Sequence, residues 1–321
     1  MKQNIYPLKT TVSFLLVLFT MPLGHALMIL MEHTLPPTTL HYCAFAMGAV
    51  GFLMAIAGVF VKGDTKQTMF GLFGGLLFWT GWVEFLLAYY AQRYGAHCDL
   101  AGNGIVQTTT TYVNGIGVKH ECLINGIPME QYSTAALKAI RGSRAEYLIM
   151  PSSFGFFMMF VLIYLFSVRT GCLAINWCQR KLFRDKRDIV VVKPMTRHVS
   201  IVTFMELTTI MWMSYLVLMF CYDPVFLGDS HPVTLAVAIV CAVGSLFMLR
   251  RELRLSTWGA NIRMAIATVI VFWTAVEVVA RNSYITEIWV DPMNHVLEMT
   301  AILLAFIGLG AYLYKEQKTK N

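Results

Sequence analysis

Two short stretches of the sequence each place a single glutamate inside an apolar run. Phe78–Phe85 reads FWTGWVEF and contains Glu84, and Phe272–Val279 reads FWTAVEVV and contains Glu277. A carboxylate in apolar surroundings is costly, so ionisable residues inside membrane-spanning segments usually serve a function. A pair of such carboxylates is suited to proton transfer or to metal binding. Glu84 and Glu277 are therefore the candidate catalytic pair.

Two histidines and a third glutamate extend this set. His295 and Glu298 are three residues apart, so they share one face of a helix. Bundles that hold two metal ions combine single glutamates with such pairs, although here the His/Glu order is reversed and a second pair is missing. The predicted metal ligands are His25, Glu84, Glu277, His295 and Glu298, with Glu32 or His33 assisting. Iron, manganese, zinc or copper would suit these ligands, and haem is less favoured because only two histidines are candidates.

The elements that must position these residues are membrane-spanning helices. The chain is 57% hydrophobic and 13% charged, whereas soluble domains carry about 25% charged residues. Apolar runs of about 20 residues, the length that crosses a bilayer, recur along it. The sequence predicts an all-α polytopic membrane protein with about eight spans, at residues 11–31, 41–62, 69–90, 149–167, 199–221, 233–249, 264–280 and 294–314.

Basic residues predict the orientation of these spans. With both termini inside, all but six of the 25 lysines and arginines lie in inside segments, as is typical of cytoplasmic loops. The net charge of +7 therefore points to the lipid bilayer as partner and needs no nucleic acid. We expect a multi-pass protein of a bacterial inner membrane with both termini cytoplasmic. The first span also resembles a signal peptide, and its removal would leave seven spans in the same orientation.

Three pairs of short matches indicate an internal repeat. PTTL at 37–40 and PVTL at 232–235 precede spans two and six, FWT recurs in spans three and seven, and MPSS and DPMN open spans four and eight. Since each copy has four spans, both copies would have the same orientation, as parallel repeats. The predicted units are residues 1–198, which include a basic cytoplasmic segment at 169–198, and residues 199–321.

The first repeat also contains an extracytoplasmic insertion at 91–148. VQTTTTYVNGIGV at 106–118 predicts two strands around an Asn-Gly turn, and Cys98 and Cys122 flank this hairpin. In an oxidising compartment they would form a disulfide that closes the insertion. A copper or zinc site built from His97, Cys98, His120 and Cys122 is the alternative. The insertion could also bind a membrane or periplasmic protein partner.

Three functions remain open at the level of sequence. The five candidate ligands fall within roughly 10 Å of one another in depth, at about 1.5 Å per residue, in the outer half of the membrane. The first interpretation is a metal or redox site in that half of the bundle. The second is a proton- or cation-coupled transporter that uses Glu84 and Glu277, and the third is a structural subunit of a larger membrane complex. The sequence does not decide whether the protein is an enzyme.

Overall fold

The computed structural model describes residues 5–87, Tyr89, the strand residues 106–113, 116–124 and 127–128, residues 198–222 and 227–318, and a few single residues between these ranges. Seven helices within them are long and apolar enough to cross a membrane. The chain is therefore a multi-pass helical membrane protein. The helices are α1 (Pro7–Thr34), α2 (Pro37–Ala57), α3 (Asp64–Phe78), α4 (Val199–Tyr222), α5 (Pro232–Glu252), α6 (Trp258–Arg281) and α7 (Val296–Lys318).

Seven of the predicted spans coincide with these helices, and the predicted span at 149–167 lies outside the described residues. Helices α1, α5 and α6 extend beyond the predicted spans at both ends, because polar and charged residues continue them, whereas α2 ends at Ala57, before the predicted end at 62. Proline occupies the first turn of α1, α2 and α5, where its missing N–H costs no hydrogen bond. At the start of α6, the Thr257 hydroxyl accepts a hydrogen bond from the Ala260 N–H, which satisfies one free helix donor.

The helices run between two faces of the molecule. We call the face where α1 begins the near face and the face where α1 ends, at Thr34, the far face. Helix α1 runs parallel to α6: Thr10 donates a hydrogen bond to Asn261 at 3.0 Å near the start of both helices. Helix α3 runs parallel to α4, because Gly71 lies against Ser200 and Trp79 lies against Trp212 further along both helices.

Two antiparallel pairs complete the bundle. Helix α2 packs on α3, and helix α5 packs on α6. Helix α7 contacts α1, and its Phe306 and Tyr312 rings meet Phe73 of α3 and Trp258 of α6. The main apolar core lies between α1, α3, α4 and α6, and its fully buried side chains include Leu16, Val17, Leu72, Leu207 and Ile266.

Helix α3 changes its winding before it ends. After a short 3₁₀ turn at Gly58–Phe60 closes α2, α3 starts at Asp64, and it continues beyond Phe78 as a π-helix over Trp79–Glu84. A π-helical turn accommodates one residue more than an α-helical turn, and such turns are frequent at functional sites. This segment carries Glu84.

The predicted insertion contains a short antiparallel sheet. Strand β1 (Val106–Val113) pairs with β2 (Ile116–Ile124), and β2 pairs with β3 (Ile127–Pro128). The two predicted strands are confirmed, and the turn predicted between them, at residues 114 and 115, lies outside the described residues. In this register, Thr108 lies opposite Cys122. Cys98 and the Cys122 side chain lie outside the described part, so the disulfide stays a prediction, as does the alternative metal site.

Candidate functional site

A small cavity lies between α1, α3, α4 and α6 in the far half of the bundle. Its volume is about 50 Å³. Since about 10–15 Å³ of cavity volume already holds one water molecule, the cavity has room for several waters or a small ion. Its apolar wall includes Met21, Leu76, Trp79, Met211 and Ile270. The polar lining residues are Thr20, His25, Thr80, Glu84, Ser214, Tyr215, Thr274 and Glu277.

Two of the predicted residues meet directly in this cavity. The Nδ1 atom of His25 lies 3.4 Å from the Oε1 atom of Glu84, and the two side chains are 15% and 18% exposed. Because both groups are largely removed from water, their attraction is screened less than that of a surface pair. The contact joins α1 to the π-helical end of α3.

The π-helix gives this part of α3 a close fit against α2. Its extra residue makes room for the Trp82 indole, whose Nε1 donates to the Phe45 carbonyl at 2.8 Å. The ring lies directly against Gly48, where any side chain would collide with it, and Gly81 lies equally close to the backbone of Ala44. These contacts hold the π-helical segment against α2.

Glu277 enters the same cavity from α6. Its Oε1 accepts a hydrogen bond from the Nε1 atom of Trp273, one turn earlier, at 3.0 Å. The Trp273 ring in turn packs against Trp289 at a centroid distance of 4.7 Å. An aromatic N–H therefore orients this carboxylate, whereas an imidazole contacts Glu84. The two glutamates share one cavity but differ in their partners.

The other predicted ligands lie elsewhere. His295 and Glu298 are close to each other, at 3.5 Å, but neither lines the cavity, and the Glu298 side chain is 54% exposed. Glu32 and His33 are exposed at the end of α1, where the His33 ring bonds to the Ile29 carbonyl. The structure thus brings together three of the five predicted ligands.

This arrangement bears on the predicted metal site. Within the described residues, no group of three or more histidine, cysteine, aspartate or glutamate side chains is close enough to hold a metal ion. His25, Glu84 and Glu277 are the residues that could contribute ligands in the cavity. Which metal they would bind, if they bind one, stays a prediction.

Several lining residues were not singled out from the sequence. Thr80 and Thr274 follow the two tryptophans of the FWT motif, so the motif itself could have pointed to them. Tyr215 and Ser214 of α4 carry no such signal, because hydroxyl residues are common in membrane helices. An alignment of α4 with α1 would have found them, because Tyr215 then aligns with His25, 190 residues earlier in the sequence.

Comparisons with protein-family models, curated proteins and solved structures find no match for this chain. The class of protein therefore follows from the fold and the cavity alone. The chain is an integral, multi-pass helical membrane protein. Four of its helices line a small cavity that contains two glutamates and one histidine.

Proposed function

We propose that the protein moves protons, or a small cation in exchange for protons, across the membrane through this cavity. The observation that carries the proposal is that Glu84 and Glu277, from different helices, line one cavity of the bundle. Carboxylates at such depth are characteristic of proton relays in pumps and transporters. A volume of about 50 Å³ suits a proton carried by water, or a small cation.

We further propose that the protein consists of two parallel repeats whose axis passes through the cavity. The residues that line the cavity support this, because most of them form pairs in which the two members are a constant number of residues apart in the sequence. Leu76 pairs with Ile270 and Thr80 with Thr274 at an offset of 194, and His25 pairs with Tyr215 at an offset of 190. The helix pairs correspond in the same way: α1 packs on α6 as α4 packs on α3.

The π-helix accounts for the one irregularity in these offsets. Trp79 and Trp273 are 194 residues apart, whereas Glu84 and Glu277 are 193 apart. One residue is therefore extra between Trp79 and Glu84, where the π-helix lies. Because a π-helical turn absorbs an added residue, Glu84 faces the cavity although the insertion would otherwise have rotated it away.

Matching hydrogen bonds at the near face also support the repeats. The Gln67 side-chain amide donates to the Val61 carbonyl at 2.8 Å, and the Asn261 amide donates to the Leu255 carbonyl at 2.7 Å. Both donors and both acceptors are 194 residues apart. Two side chains of similar chemistry thus bind the same backbone position at the start of α3 and of α6.

The difference between the repeats gives the cavity its chemistry. His25 contacts Glu84, whereas the corresponding place in the other repeat holds Tyr215. Imidazole exchanges protons in the physiological pH range, but a phenol, with a pKa near 10, does not. We propose that Glu84 and His25 exchange a proton as a pair, and that Glu277 accepts and releases its proton separately.

The proposal includes an orientation. The near face carries the arginines at the end of α5 (Arg250, Arg251 and Arg254), and the positive-inside rule assigns such a face to the cytoplasm. The protein would then lie in a bacterial inner membrane with the cavity towards the periplasm. A metal or redox site in the same cavity is the second candidate, supported by the contact between His25 and Glu84. The role of a structural subunit is supported by no contact among the described residues.

Proton flux into liposomes tests the proposal. The purified protein is reconstituted with a pH-sensitive dye inside, and a pH, sodium or potassium gradient is applied. We expect flux above that of protein-free liposomes, and a decrease of at least about tenfold in Glu84→Gln and in Glu277→Gln, as when a proton-transfer group is removed. Glu298→Gln is the matched control, because this glutamate lies outside the cavity and should leave the flux unchanged.

Two results would contradict the proposal. One is a wild-type flux no higher than that of protein-free liposomes under every gradient. The other is a flux that Glu84→Gln and Glu277→Gln leave unchanged while both variants remain folded by circular dichroism. Binding of about one transition-metal ion per chain that both variants abolish, without any flux, would instead favour the metal site.

A further inference from the structure

A third glutamate is buried at the near face, far from the cavity. Glu252 is the last residue of α5, in the sequence LRRELR. The arginines on either side, Arg251 and Arg254, are exposed, but Glu252 is 0% exposed. The helix turns this one carboxyl towards α6 while its basic neighbours face outward. The proton exchange proposed for the cavity does not involve Glu252.

Among the described residues, the surroundings of Glu252 offer no hydrogen-bond donor to an ionised carboxylate. Within the part of the chain that the structure describes, neither carboxyl oxygen has a hydrogen-bond partner. The Thr268 hydroxyl of α6 faces the carboxyl, but it already donates its hydrogen to the Met264 carbonyl at 2.9 Å. While it does so, Thr268 has no hydrogen to donate to a carboxylate, whereas a protonated Glu252 carboxyl could donate to the hydroxyl oxygen.

The basic groups nearby do not neutralise this carboxyl either. Lys9 of α1 donates to the Ser256 carbonyl, and Arg263 of α6 pairs with Asp64 at 2.9 Å. None of the described arginines, lysines or histidines forms an ion pair with Glu252. An unpaired ionised carboxylate in such a place is strongly disfavoured, and groups in this position neutralise instead.

We propose that Glu252 is a second proton-binding residue, which holds a proton inside the near half of the bundle and exchanges it with the near face. Its place at the end of a helix, beside exposed arginines, puts it next to water without exposing it. The role in transport rests on the proposed function, but the binding of a proton does not.

Helix α6 connects this residue with the cavity. Thr268 faces Glu252, and Thr274 and Glu277 on the same helix line the cavity. Nine residues separate Thr268 from Glu277, which corresponds to about 13 Å along a helix. The corresponding end of α2, at Ala57 and Gly58, has no carboxyl group. Only one of the two proposed repeats would therefore have an inner proton-binding residue, and it is the one that contains Glu277.

Infrared spectroscopy of the reconstituted protein tests this proposal without any transport assay. A protonated carboxyl has a C=O stretching band that ionised carboxylates lack, and exchange into D₂O shifts it. We expect a band that Glu252→Gln removes, that Glu298→Gln retains, and that disappears reversibly when the pH is raised. In Glu252→Asp the band should shift rather than vanish, which assigns it even if the glutamine variant folds poorly.

The outcomes separate this proposal from the proposed function. A spectrum that is identical in wild type and Glu252→Gln would overturn the inference, as would a band that neither pH nor D₂O changes. If the band behaves as expected, proton flux in Glu252→Gln should fall at least about tenfold, and an unchanged flux would overturn the role in transport. The proposed function fails on a different result, namely that flux does not depend on Glu84 and Glu277.

Discussion

The close packing of α2 on α3 makes a sharp prediction for Gly51. A Cβ atom added there would lie 2.5 Å from the Phe78 nitrogen and 2.6 Å from the Gly74 carbonyl oxygen. Both atoms belong to the backbone, so no side chain can rotate away. The two helices would have to separate by about 0.9 Å to reach an ordinary contact of 3.4 Å. Overpacking of this kind costs about 1–3 kcal/mol.

Gly308 on α7 provides the matched control. A Cβ atom there would meet nothing within 4 Å, so alanine should only add helix propensity, worth about 0.5–1 kcal/mol. We expect Gly51→Ala to be less stable than wild type by about 1–3 kcal/mol and Gly308→Ala to be at least as stable as wild type. Unfolding by sodium dodecyl sulfate in mixed micelles, followed by tryptophan fluorescence, measures both.

The reasoning is refuted if Gly51→Ala and Gly308→Ala unfold at the same detergent concentration. Equal stability would mean that α2 and α3 do not approach through their glycines. The π-helix would then lose its physical basis, since Trp82 reaches α2 only because the two backbones are close.

Two further predictions concern the ends of the helices and the π-helix. Asp229→Asn should destabilise the protein by about 1–3 kcal/mol, because this carboxylate is 6% exposed and pairs with an arginine at 3.0 Å. Asp64→Asn, at an exposed ion pair, should cost only about 0–1 kcal/mol. Equal losses of stability in the same unfolding assay would contradict this prediction. Deletion of Trp82 should preserve proton flux at reduced stability, because it converts the π-helix to an α-helix and leaves Glu84 in place. Deletion of Leu77, which precedes the π-helix, should abolish flux, because it rotates Glu84 by about 100° around the helix axis. The reverse result would contradict the assignment of the extra residue to the π-helix.

Hydropathy predicted the spans well because a bilayer demands long apolar segments with few charges, and each described helix provides one. The strands of the insertion were likewise predictable, since a run of β-branched threonines followed by an Asn-Gly dipeptide favours a hairpin locally. These features depend on residues that are near one another in sequence. The span predicted at 149–167 and the disulfide stay predictions, because only the sequence supports them.

The candidate site was predicted only in part because depth is encoded in the sequence and helix arrangement is not. Counting residues placed His25, Glu84, Glu277, His295 and Glu298 at similar depths. It could not reveal that α7 lies at the side of the bundle, so that its histidine and glutamate lie outside the cavity. The pairing of His25 with Glu84 depends on the π-helix, whose extra residue is visible only as a change in offset between two motifs.

Glu252 illustrates a different reason for a missed residue. Its neighbours in LRRELR are charged, and such a run usually marks a solvated loop. The structure continues α5 through this run, and helical geometry then turns one residue inward while its neighbours remain outside. A buried carboxyl within a run of charged residues can be recognised only when the rotation of the helix is known.

The central claim is that Glu84 and Glu277 act in one cavity, and a double-mutant cycle tests it most directly. The stabilities of wild type, Glu84→Gln, Glu277→Gln and the double variant are compared by unfolding in mixed micelles. Residues that share a cavity should be coupled by at least about 0.5 kcal/mol, whereas distant residues are additive within about 0.3–0.5 kcal/mol. A parallel cycle of Glu84→Gln with Glu298→Gln should be additive. Coupling in the first cycle alone is the predicted result, and additivity in both cycles would contradict the shared cavity.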